Sequence, residues 1–162
     1  MRIEYLADHL EVATVLAAWH YDEWKGILPE WSHEQAIAGL RSHVGRRQIP
    51  TTLVAVENDT VVGSASLLES DLDGWDHLSP WLASLYVVPE CRGKGIGREL
   101  VRRVMEEAGA LGLPCVYLFT AGKEPYYARQ GWVTFTRTKH SGRDVVIMQR
   151  STRLTSGERR TV

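Results

Sequence analysis

The sequence predicts one α/β domain: a mixed, mostly antiparallel sheet with helices on both faces. Two observations carry this expectation. β-rich runs come as neighbouring pairs, 52–57 with 60–68 and 132–139 with 143–150, the arrangement of antiparallel hairpins. Between them lies one strand–helix–strand stretch, 82–119, of the kind that joins parallel strands by a crossover. The full order reads β-α-α-β-β-β-α-β-α-β-β.

The elements follow in turn. Residues 1–6 form a short strand. Asp8 with Glu11 three residues on reads as a capping box, followed by Val12, Val15, Leu16 and Trp19 at helical spacing. A second box, Ser32 with Gln35, opens a helix that buries Ala36, Ile37, Leu40 and Val44 and stops near Gly45. Asn58-Asp59 joins the first hairpin, since both residues tolerate the positive φ of a tight turn. After a polar segment, 69–80, the run Leu82–Val88 is a buried strand ending at Pro89, which cannot donate to a ladder. The helix after residue 95 sets Ile96, Leu100, Val104, Ala108 and Leu111 on one face. Arg98, Glu99, Arg102, Arg103, Glu106 and Glu107 lie on the other. Gly112 and Pro114 end it. A strand at 115–119, a short helix at 124–130 closed by Gly131 and the last hairpin complete the domain, 1–150. The tail 151–162 is polar and expected to be flexible.

Composition narrows the function. With 162 residues the chain suits one domain with a sizeable core, and a formal net charge of −1 gives no general pull toward nucleic acid or an anionic membrane. The one adjacent basic pair in the tail is Arg159-Arg160, and the basic residues of the long helix alternate with acids, so no nucleic-acid or membrane partner is expected. Two cysteines, Cys91 and Cys115, in different elements make neither a disulfide framework nor a metal-ligand spacing. No metal is expected. Free thiols and an N-terminus without a signal-peptide pattern point to a cytoplasmic protein.

The chemistry concentrates in Arg92-Gly93-Lys94-Gly95-Ile96-Gly97. Directly after a buried strand, this loop offers a series of backbone N–H groups at a helix start, where donors lack partners and the helix dipole is positive. The glycines let a bulky anion approach, and Arg92, Lys94 and Arg98 add charge. This describes a diphosphate site. A Walker loop fails because Gly97 is followed by Arg98-Glu99. The dinucleotide fingerprint fails because its third glycine falls one position early.

The segment Leu85–Leu100, with Arg92, Gly95 and Gly97 at the core positions Arg/Gln-x-x-Gly-x-Gly/Ala, resembles the acetyl-CoA-binding signature of the GNAT N-acetyltransferase superfamily. Tyr126-Tyr127-Ala128-Arg129-Gln130-Gly131-Trp132 is similar to that family's aromatic-Tyr-x-x-x-Gly-aromatic segment, about thirty residues on. The resemblance implies the GNAT fold and acetyl-CoA as cosubstrate. It implies that the backbone of Tyr86, Val87 and Val88 pairs with the pantetheine arm where two strands splay. The amides of Arg92, Gly93, Lys94, Gly95, Ile96 and Gly97 would hold the pyrophosphate, aided by Arg98. Tyr127 would protonate the departing thiolate. Thr120 stands where many members carry an asparagine that contacts pantetheine. Homodimerisation is a family-level expectation.

The implied reaction is attack of an amine on the thioester in a ternary complex. The backbone N–H of Val87 or Val88 would polarise the carbonyl. A primary alkylamine has a pKa of ~10.4, so a base must take its proton. Glu69 is the candidate, from a cluster with Asp71, Asp73, Asp76 and His77 that also points to a cationic acceptor. His20 is a further candidate. Cys91 as a nucleophile is a rival route, and the loop would aim it away from the acetyl group. Trp24, Trp31, Trp75 and Trp81 serve either as an acceptor wall or as core or dimer contacts. The alternative function is a catalytically silent CoA-binding sensor, against which the intact Tyr127 argues.

Overall fold

The computed structural model describes residues 1–153. Seven strands form one sheet in the order β1-β2-β3-β4-β5-β7-β6, with every neighbouring pair antiparallel except β4 with β5. The strands are β1 Arg2–Tyr5, β2 Thr51–Glu57, β3 Thr60–Leu68, β4 Trp81–Val87, β5 Cys115–Thr120, β6 Val133–His140 and β7 Arg143–Ser151. The helices are α1 Ala13–Trp24, α2 His33–Ser42, α3 Ile96–Ala110 and α4 Glu124–Ala128. This is the mixed sheet that the hairpin pairs and the single crossover predict.

Strand β2 shows why helices cover both faces. All of Thr51–Val56 is buried, and its alternate side chains feed different cores. Leu53 and Ala55 pack with Leu100, Val104 and Ala108 of α3, while Val54 and Val56 pack with Leu16 of α1 and Leu40 of α2. A third cluster, Leu72, Leu78, Trp81 and Ile147, closes the sheet beneath the 69–80 segment.

Local signals fare differently along the chain. Asn58 and Asp59 adopt φ 49° and 60°, as a tight hairpin turn requires. The Ser32/Gln35 box forms in both directions, Gln35 N–H to Ser32 Oγ at 3.1 Å and Ser32 N–H to Gln35 Oε1 at 2.8 Å. The Asp8/Glu11 box does not form. Asp8 pairs with Arg46, and two short 3₁₀ turns, Leu6–Asp8 and Leu10–Val12, lead into α1 with no side-chain cap. Helix α1 buries Ala13, Leu16, Ala17 and His20, leaving Val15 exposed; α2 ends before Val44, which is also exposed. The largest departure is Glu107. Expected on the polar face of α3, it is fully buried. Of the tail, residues 154–162 lie outside the described residues. Thr152 remains tied to the core, its N–H donating to Pro114 O at 3.1 Å.

Candidate active site

The site begins with a bulge. In the β3–β4 ladder Ser66 faces Ala83 and Ser64 faces Tyr86, so Ser84 and Leu85 together oppose Ala65. Ser84 takes φ 53°, the left-handed region that a serine rarely occupies. A bulge bends its strand. Parallel pairing of β4 with β5 is accordingly confined to Trp81 and Tyr117, reinforced by Tyr117 N–H to Pro80 O at 2.9 Å. Beyond that point β4 and β5 diverge and leave a gap in the sheet.

The ladder decides which β4 groups face this gap. Val88 N–H donates to Val62 O at 2.9 Å. Antiparallel alternation then turns Tyr86 toward β3 and Val87 away from it. The Val87 carbonyl accepts from Arg92 Nε at 2.8 Å, so the Val87 N–H is the open donor of the three expected to pair with pantetheine. Val88, one of the two amides expected to polarise the carbonyl, is held by β3.

After β4 a short turn, Pro89–Cys91, leads into the glycine-rich loop. Gly93 and Gly95 take φ 77° and 83°, and Gly95 is the N-cap of α3. A glycine there adopts the left-handed region without the strain that a Cβ would add. No side chain caps the helix, so its first-turn N–H groups stay open. Arg92 N–H bonds Pro89 O at 3.2 Å, which moves the open donors to Gly93 and beyond. The Arg92 guanidinium, itself exposed, turns back over the Tyr86 ring at 5.5 Å and lies 3.9 Å from Glu23, while Lys94 and Arg98 are the loop's other exposed cations. At Gly97 a Cβ would lie 2.8 Å from the Tyr126 hydroxyl, so α4 sits directly against the start of α3.

That contact positions Tyr127. Its ring packs edge-on to Tyr126 at 5.0 Å and to Trp132 at 6.2 Å. Burial pushes its hydroxyl well above the ordinary tyrosine range, with the neighbouring Tyr126 adding to the effect. The group therefore keeps its proton at any physiological pH. Thr120, at the end of β5, accepts Lys123 N–H at 3.2 Å and retains its own hydroxyl hydrogen.

A cavity of about 580 Å³ passes through the gap. Tyr127, Thr120, His20, Trp24, Trp31, Asp71 and Phe119 are among its lining residues. Glu69 is exposed and does not line the cavity; Asp71, two residues on, does. Burial pushes the Asp71 carboxyl up to about 8. His20 is buried, its Nε2 is 2.8 Å from Ser64 Oγ, and burial pushes it down to about 4, so it is neutral. Trp75 and Trp81 of the expected aromatic wall belong instead to the third core, with Trp81 Nε1 donating to Leu78 O at 2.7 Å. Cys91 is buried beside Glu57, outside the cavity. The sequence offers Tyr126 only as the first aromatic of the Tyr126–Trp132 segment, and its one signal for His140 and Arg143 is the Ser141-Gly142 turn between them.

A sheet opened between two parallel strands, beside an uncapped glycine-rich helix start, defines an acyltransferase class of site. The family model described as Acetyltransferase (GNAT) family matches residues 14–132, and the chain belongs to that family. It is therefore an acetyltransferase. No curated relative matches the sequence. Among solved structures it is similar to yncA of Salmonella typhimurium, solved with its cofactor acetyl-CoA, at 19% identity, TM-score 0.69 and 96% coverage of each chain. An aminoglycoside 6'-N-acetyltransferase complexed with coenzyme A gives 14% identity, TM-score 0.71, and coverage of 96% of this chain and 99% of that one. The ribosomal-protein-alanine N-acetyltransferase of Brucella melitensis gives 24%, 0.69, 93% and 99%. Among the described residues no helix is long and apolar enough to cross a membrane, and no group of three or more His, Cys, Asp and Glu is placed to hold a metal ion.

Proposed function

We propose that this protein transfers an acetyl group from acetyl-CoA to an amine by direct attack in a ternary complex. The observation that carries this reading is the cavity at the β4–β5 gap, whose lining holds both a protonated phenol and a half-buried carboxyl. The residues present fit the cosubstrate. Open amides from Gly93 into the first turn of α3 suit a pyrophosphate, and the Val87 N–H and Thr120 hydroxyl border the gap that a pantetheine arm would follow. When bound, acetyl-CoA supplies an activated acetyl thioester.

The chain's own groups do the rest. Asp71 takes the proton of the incoming ammonium. With a pKa near 8 it is far better matched to that proton than an exposed carboxylate would be, which favours it over Glu69 as the base. The Val87 N–H is positioned to donate to the developing oxyanion. Tyr127 holds the proton needed by the thiolate that leaves. A thiol pKa of ~8.5 makes that thiolate a tolerable leaving group, so Tyr127 accelerates the reaction without being indispensable.

The test is steady-state kinetics over a panel of primary amines, with release of the CoA thiol as readout. Direct attack gives intersecting initial-velocity lines, Tyr127→Phe lowers kcat by about 10²-fold, and Cys91→Ser leaves turnover intact. Parallel lines together with an acetylated cysteine in the intact mass would replace direct attack with a covalent route.

A further inference from the structure

We infer that the acceptor carries a carboxylate beside its amine, and that Arg143, with Lys123 and His140, holds that carboxylate at the β6–β7 turn. This rests on the acetyl-transfer reading above and extends it to the class of substrate.

The charged lining of the cavity is divided. Asp71 and Glu23 are its carboxyl groups; Lys123 and Arg143 are its permanent cations. The cations are unneutralised for a structural reason. The two carboxylates next to them in sequence are already engaged: Asp144 by Lys139 at 2.8 Å, and Glu124 by Arg137 at 2.9 Å. Neither Arg143 nor Lys123 forms an ion pair among the described residues. Asp71 forms no ion pair with either of them among the described residues. The positive groups and the half-buried carboxyl therefore line one cavity without pairing with each other.

His140 is the second, independent sign of a ligand. Its ring packs edge-on to Phe119 at 5.6 Å, and its Nε2 is buried in the lining without a hydrogen-bond partner. A buried polar atom left unpaired is costly unless something fills the space beside it. His140 and Arg143 face each other across the β6–β7 turn and Lys123 lines the same cavity; an arginine fork, an ammonium and an imidazole nitrogen suit a carboxylate, since the planar guanidinium can bind both of its oxygens. Trp24 and Trp31 in the same lining present apolar surface for the remainder of the molecule. An amine for Asp71, a carboxylate for Arg143 and apolar surface for a side chain describe an amino acid with a large hydrophobic side chain.

The experiment compares matched amines that differ only in the carboxylate: phenylalanine with phenethylamine, tryptophan with tryptamine, leucine with isopentylamine. Acetyl transfer is followed by thiol release for the native protein, Arg143→Gln, and Arg153→Gln as a control that removes an exposed charge outside the cavity. Acetyl-CoA binding is measured separately by thermal shift. We expect kcat/KM at least about tenfold higher for the carboxylated member of a pair. The ratio should collapse to within about threefold in Arg143→Gln, chiefly through KM, and persist in Arg153→Gln. Equal rates within pairs, a preference that survives Arg143→Gln, or turnover confined to amines without a carboxylate would overturn the inference and leave acetyl transfer standing. Absence of the acetyl-CoA shift would instead remove the reading on which it rests, and the inference with it.

Discussion

At the scale of single residues, burial moves the proton affinity of Asp71 and Tyr127 in the same direction and gives them opposite tasks. The Asp71 carboxyl rises from its ordinary value of 3.8 to about 8. Between those values the folded chain binds a proton that the unfolded chain has released, so folding stability falls as pH rises through that window. The destabilisation is complete above pH 8. Asp71→Asn, which cannot ionise, should therefore raise Tm more at pH 8 than at pH 4, read by thermal unfolding at both values. The same change removes the base: kcat/KM should fall by about 10²-fold or more, and its rise toward pH 8 should disappear. A native pH profile that is flat between 6 and 9 would assign the proton transfer elsewhere. Neither shift is visible in a sequence. Glu69 and Asp71 are two carboxylates in one polar segment, and only the walls of the cavity separate an exposed group from a desolvated one.

At the scale of elements, the start and the middle of α3 are both under tension between local pattern and tertiary demand. Gly95 at φ 83° caps the helix in the left-handed region. Gly95→Ala should cost ~1–2 kcal/mol of stability and weaken acetyl-CoA binding, measured by chemical denaturation and calorimetry. One turn from the end of the helix, Glu107 is enclosed: Tyr5 donates to its Oε1 at 2.9 Å, Arg103 approaches to 3.2 Å and Arg47 to 3.9 Å, while Oε2 has no partner. Removing it would leave the part-buried Tyr5 hydroxyl without its acceptor and the half-buried Arg103 guanidinium with Glu106 alone. Glu107→Ala should cost about 2–4 kcal/mol by urea denaturation, and Glu107→Gln less, with the distant active site still functional.

These elements also show which local signals can be trusted. The Ser32/Gln35 box is legible because nothing else competes for either side chain. Asp8 carries the same local signal, but Arg46 takes its carboxylate and the box is lost. Glu107 follows Val104 by three residues, which sets it at the edge of the apolar stripe, and its charge alone suggests exposure. What buries it is β1, a strand about a hundred residues away that no helical period can register.

For the whole molecule, the order of elements, both hairpins and the glycine-rich loop were readable because each is a local pattern. The cavity was not. Its lining comes from α1, α2, the 69–80 segment, β4, β5 and the β6–β7 turn, which meet only after the sheet forms and a bulge at Ser84-Leu85 opens it. Cofactor-side and acceptor-side groups reach one another through that gap, so binding on the cofactor side should stabilise the folded domain as a unit. Thermal unfolding with and without acetyl-CoA, beside CoA and NADP, tests this most directly. A ligand at 100 times its dissociation constant stabilises by ~2.7 kcal/mol, a shift of about 2–4 °C in a domain of this size. Acetyl-CoA and CoA should each raise the midpoint, and NADP should not. A midpoint unmoved by all three would mean that the Gly93–Gly97 amides and the β4–β5 gap do not form a CoA site.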